Sequence, residues 1–79
     1  MGATLELYTT VRIRALLQSE HDYDGWGVNV RSPKIGETGT LIDVLTAPES
    51  PNKYVVENVN SDGMTIWLSD FFAEEIESI

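Results

Sequence analysis

Hydrophobic and polar positions alternate along much of this chain, and where they do the period is two. Val11, Ile13, Ala15 and Leu17 share one face of residues 10–17, with Arg12, Arg14 and Leu16 on the other. A helix through residues 15–18 competes locally, but this alternation with β-branched residues predicts a half-buried strand. Residues 64–68 repeat the pattern, setting Met64, Ile66 and Leu68 against Thr65 and Trp67. Residues 53–59 form a third β-rich run, and Ile76 and Ile79 among acids mark a last short strand over residues 74–79. Residues 39–46 are denser, since Leu41, Ile42, Val44 and Leu45 surround a single charge, Asp43. That run reads as the pivotal strand, either buried on both faces or bulged near Asp43. Gly36 and Gly39 lead into it and read as a tight turn, because glycine reaches positive φ without a Cβ clash.

The breaks between these runs are equally marked. Asn60-Ser61-Asp62-Gly63 is a hairpin signal, and Pro48 and Pro51 make residues 47–52 a turn. Ser69 or Asp70 is a natural N-cap, so residues 69–73 read as one short helical turn. Residues 18–35 form a long loop punctuated at Gly25 and Gly27, and loops of that length in compact domains are often functional. Residues 1–9 are a loose lead-in. The whole, residues 1–79, is expected to be one all-β domain. Its expected form is a small five-stranded SH3-like barrel, with a long early loop and one short helical turn before the last strand. Closing the sheet would remove the exposed edges of a flat one.

At this point the residues carry a resemblance. Val11-Arg12-Ile13, Gly36-Glu37-Thr38-Gly39-Thr40-Leu41 with Val44, Tyr54-Val55-Val56-Glu57, Asp62-Gly63, Phe71-Phe72 and Glu74-Glu75-Ile76 follow one ordered pattern. It is similar to small bacterial SH3-like barrel proteins of uncharacterised function. More distantly, it resembles the small peripheral barrel of photosystem I and its relative in the NDH complex. The resemblance spans residues 10–79 and implies the fold. Strong acidity and the insert at residues 18–35 depart from the photosynthetic barrels and count against their docking role here, which is kept as the alternative.

Charge changes the picture most. Thirteen acids against five bases give a net −8 over 79 residues. Glu6, Glu20, Asp22 and Asp24 cancel Arg12, Arg14, Arg31 and Lys34 in residues 1–36, whereas Lys53 alone opposes nine acids in residues 37–79. Nucleic acid is disfavoured as a partner, because phosphates demand the opposite sign. With no cysteine, disulfides and thiolate chemistry are absent, and a small domain without staples fits a reducing compartment. No apolar run is long enough to span a bilayer, and the N-terminus lacks signal-peptide character. A cytoplasmic protein is therefore expected.

Candidate chemistry is sparse. His21 is the only histidine, and its acidic neighbours match no zinc spacing. Asp22-Tyr23-Asp24-Gly25 lacks the remaining ligands of a calcium loop. Neither a phosphate loop nor an activated nucleophile is evident, so no metal, no cofactor and no enzymatic activity are expected. The informative group is aromatic and acidic: Tyr23, Asp24, Trp26, Trp67, Asp70, Glu74 and Glu75 are the candidate partner-binding residues. Phe71 or Phe72 is expected inside, with Trp26 and Trp67 partly outside. The function expected is a non-catalytic module docking its acidic surface on a basic protein, as an inhibitor or immunity partner of a toxic enzyme. The resemblance supports that form, since small bacterial proteins of this sort look like neighbours of toxin systems. The alternative is an accessory subunit that stabilises a larger complex through the surface around Trp26 and Trp67.

Overall fold

In the computed structural model, which describes residues 5–79, five antiparallel strands form one sheet. The first four residues of the expected lead-in lie outside the described residues. The strands are β1 (Thr10–Ile13), β2 (Thr38–Ala47), β3 (Ser50–Val59), β4 (Thr65–Phe72) and β5 (Ile76–Ser78), in the spatial order β4-β3-β2-β1-β5. One 3-10 turn, Glu20–Asp24, lies in the long early loop, and a second, Ala73–Glu75, precedes β5. The all-β class, the strand number and the helical turn before the last strand are those expected.

The sheet does not close into the expected barrel. β4 and β5 stand at opposite ends of the order and do not pair. The long loop lies along the free edge of β4 instead. Val30 N donates to Ile66 O at 2.8 Å, Leu68 N donates to Asn29 Oδ1 at 2.8 Å, and Gln18 Nε2 donates to Asp70 O at 2.9 Å. An open edge is a liability when its backbone groups go unpaired. Here a loop satisfies them, so a closing strand is not required.

Three boundaries move for identifiable reasons. β1 ends at Ile13 rather than near residue 17, because Arg14 N and Ala15 N both donate to Glu75 O, at 2.8 and 3.2 Å. The β2–β3 turn shrinks to Pro48-Glu49, with Ala47 pairing Ser50 and Glu49 at φ 60°. Proline at the first central position with positive φ at the second is the arrangement of a type II turn. β4 runs through to Phe72, so Ser69 is no N-cap but a buried strand residue whose hydroxyl donates to Tyr23 O at 2.6 Å. The expected turn at residues 60–63 is present, closed by Gly63 N to Asn60 O at 3.0 Å.

The faces of β4 are the reverse of the expected ones. Trp67, Ser69 and Phe71 are the buried set, while Ile66, Leu68, Asp70 and Phe72 lie between them in sequence and are only partly covered. Trp67 is 0% exposed, contrary to the expectation that it reaches solvent. It meets Phe71 edge-on at 5.8 Å between ring centroids, and its Nε1 donates to Glu37 Oε1 at 3.2 Å. A buried indole is stable when its N–H finds a partner, and Glu37 supplies one. Around this pair the core gathers Val11, Ile13, Leu41, Val56 and Ile76, together with Tyr23 from the loop. Gly39 is required by packing: a Cβ there would stand 2.7 Å from both Glu57 O and a Val56 methyl. Gly36, at φ +95°, is the true turn glycine of the pair.

Candidate partner-binding face

The register of the three long strands determines which side chains share the outer face. Residues paired across an antiparallel ladder point the same way, and successive residues alternate. Leu45, Lys53 and Phe72 make one row; Asp43, Val55 and Asp70 make the next; Thr40, Glu57 and Leu68 follow. Leu41 and Asp43 are two positions apart and would share a face in a regular strand. The register shift between them, the bulge expected near Asp43, turns Leu41 into the core and Asp43 outward. One irregularity thus reconciles an apolar run with a charge inside it.

Trp26 comes to this face from the loop. It is 48% exposed, and its Nε1 donates to Asp70 Oδ1 at 2.9 Å. Asp24, also exposed, accepts from Asn29 N at 3.2 Å, which stiffens the loop around Trp26. Glu74 is exposed on the second 3-10 turn. Beyond the Leu45 row lies a groove of about 330 Å³ among Leu45, Ala47, Pro51, Lys53 and Phe72. The Lys53 ammonium lies 4.9 Å from the Phe72 ring centroid and donates to Gln18 Oε1 at 2.6 Å. Nothing in the sequence marks Asp43, Leu45, Lys53 and Phe72 as a group, because only the bulge and the β3 register assemble them.

Three expected site residues face inward instead. Trp67 is in the core as described. Tyr23 is 3% exposed and packs on Phe71 at 5.5 Å between centroids. Glu75 is 0% exposed and accepts from Leu17 N, Gln18 Nε2 and Phe72 N, each at 2.8 Å, and from the Tyr23 hydroxyl. A buried carboxylate is tolerable only when donors replace its water, and four do so here. Burial, followed by the bond to Glu75, pushes the Tyr23 hydroxyl up to about 12. These residues tie residues 17–23 to the end of the sheet and offer nothing to a partner.

Arg12 pairs with Glu77 at 3.7 Å, joining β1 to β5, and Arg31 grips Glu37 through both guanidinium nitrogens near the start of β2. The Arg31 bonds hold the Glu37 carboxyl at about 2, well below its ordinary value. Asp24, Asp43, Glu57, Asp70 and Glu74 form no ion pair with lysine or arginine among the described residues. No group of three or more His, Cys, Asp or Glu among the described residues is placed to hold a metal ion. Comparison with protein-family models, with curated proteins and with solved structures found no match. The arrangement itself is therefore the ground for a functional reading.

Proposed function

We propose that this chain is a non-catalytic protein-binding module that docks on a basic protein through the outer face of β2, β3 and β4. The observation that carries the reading is the half-exposed Trp26 held by Asp70, on a face where neighbouring carboxylates have no cationic partner. A tryptophan fixed by a hydrogen bond buries a large area on contact while losing little rotamer freedom. Unneutralised carboxylates around it attract a basic surface and accelerate encounter. The specific form we favour is an inhibitor or immunity partner that covers a basic face of a toxic enzyme. An accessory subunit would instead draw its affinity from the apolar groove, with little dependence on charge.

The two readings separate by titration. A partner captured from the source cell is titrated calorimetrically with wild type, with Asp70→Lys plus Glu74→Lys, and with Trp26→Ala. Docking by charge predicts a loss of about tenfold or more for each variant and steady weakening as salt rises. Binding that ignores both salt and the charge reversal rejects the docking reading and favours the accessory subunit.

A further inference from the structure

We propose that the groove beyond the Leu45 row is a second site, which binds an aliphatic monocarboxylate with its tail among Leu45, Ala47, Pro51 and Phe72 and its head at Lys53. The site is independent of the docking reading, because none of the carboxylates that docking uses lines the groove. Its volume of about 330 Å³ is roughly twice the ~150 Å³ of an apolar cavity that admits benzene, so a chain of several methylenes fits. The walls are almost wholly carbon. A peptide laid there would bury amides with no partner, whereas a methylene chain carries nothing to satisfy.

Lys53 fixes the sign of the ligand. It is the only lysine or arginine in residues 37–79, yet it forms no ion pair among the described residues. With nine acids in the same half of the chain, that is a matter of placement, not of supply. The ammonium donates instead to Gln18 Oε1 at 2.6 Å and lies 4.9 Å from the Phe72 ring centroid. Gln18 is itself held, since its Nε2 donates to Glu75 Oε1 at 2.8 Å and to Asp70 O at 2.9 Å. A buried carboxylate thus aims the glutamine, and the glutamine aims the cation. An ammonium has three N–H donors, and Gln18 takes one, which leaves two for a carboxylate. Phe72 serves both ends of such a ligand, as wall of the groove and as the ring beneath the cation.

The test uses the full chain and octanoate at about 0.15 M salt, where charges more than about 8 Å away are largely screened. Backbone amide shifts followed by NMR should saturate and should concentrate at Leu45, Ala47, Lys53 and Phe72. Affinity should rise about two- to fourfold per methylene from butanoate to octanoate, as burial of the tail requires. 1-Octanol, with the same tail and no charge, should bind at least about tenfold more weakly. Lys53→Met keeps an apolar stem on Phe72 and should lose about tenfold for octanoate with no loss for 1-octanol, which also shows that the groove is intact. Equal affinity for octanoate and 1-octanol, or octanoate binding that survives Lys53→Met, overturns the site. So does a series flat in chain length, or shifts spread over the other exposed apolar residues. Tighter binding of N-acetylated Ala-Ala-Leu with a free C-terminal carboxylate would also overturn it, in favour of a peptide C-terminus. None of these outcomes touches the acidic face, whose own test is the charge-reversal titration.

Discussion

Glu75 and Glu37 hold the fold together at the scale of single residues, and they do so by different means. Glu75 is buried without a cation and is held by four hydrogen-bond donors from residues 17, 18, 23 and 72. Removing the carboxylate in Glu75→Ala strands the buried Tyr23 hydroxyl and the amides of Leu17 and Phe72. The expected loss is about 3 kcal/mol, read as a lower urea midpoint with unchanged slope. The partner hydroxyl adds an alkaline signature. Tyr23 titrates near 12 in the fold, above its ordinary 10.0, because burial and Glu75 both disfavour the phenolate. A raised folded value means stabilisation that is complete below the unfolded value and lost as pH climbs from about 10 to about 12. Tyr23→Phe should remove that decline, as thermal melts through this window would show. Glu37 behaves in the opposite sense. Arg31 depresses it from 4.5 to about 2, so its contribution is present above 4.5 and disappears as pH falls towards 2. Arg31→Met should therefore be less stable than wild type at neutral pH and converge with it near pH 2, which urea midpoints at the two pH values would test.

At the scale of elements, β2 carries two constraints that its sequence announces in different degrees. Gly36 and Gly39 look alike in the sequence, yet only Gly36 has positive φ, while Gly39 lies hard against the β3 backbone. Gly39→Ala should cost about 3 kcal/mol, because the obstructing atom is a carbonyl that cannot move aside. Gly36→Ala should cost only about 1 kcal/mol of left-handed strain. The reverse ranking in urea melts would mean that β2 and β3 are not packed this closely. β2, β3 and the turn after β3 are legible because their signals are local: apolar runs, a lone Asp43, an Asp-Gly pair. The alternation in β4 points to the wrong face because Ile66 and Leu68 look more core-like than Ser69. What reverses them is distant, namely Tyr23 O accepting from Ser69 and Glu37 accepting from Trp67. The end of β1 is hidden for the same reason, since Glu75, about sixty positions away, draws residues 14 and 15 off the strand. Trp26 and Asp70 each stand out in the sequence as candidates. Their contact, across 44 positions, does not.

For the whole molecule, the open sheet and the uneven charge are connected. The loop that caps β4 also brings Trp26 to the outer face, so the segment that stands in place of barrel closure also shapes the proposed docking face. The two arginine ion pairs lie at β1–β5 and at the start of β2, so Asp43, Glu57 and Asp70 on the outer face form no ion pair among the described residues, and Lys53 is the cation in their neighbouring row. A net −8 on a body with a radius of gyration of 11.9 Å places many like charges within one Debye length at low ionic strength. Such self-repulsion destabilises the compact state, and added salt relieves it. Salt also weakens the exposed ion pairs, but surface pairs contribute little. Relief should therefore dominate. Adding salt from low to moderate strength should raise Tm by roughly 2–4 °C, corresponding to about 0.5 kcal/mol for a chain of this size. Asp43→Asn plus Asp70→Asn should raise Tm at low salt and leave less for salt to add, because part of the repulsion is gone. A Tm that falls with salt would mean that the ion pairs at β1 and β2 outweigh the repulsion. The outer face would then not carry the excess negative potential that docking on a basic partner requires.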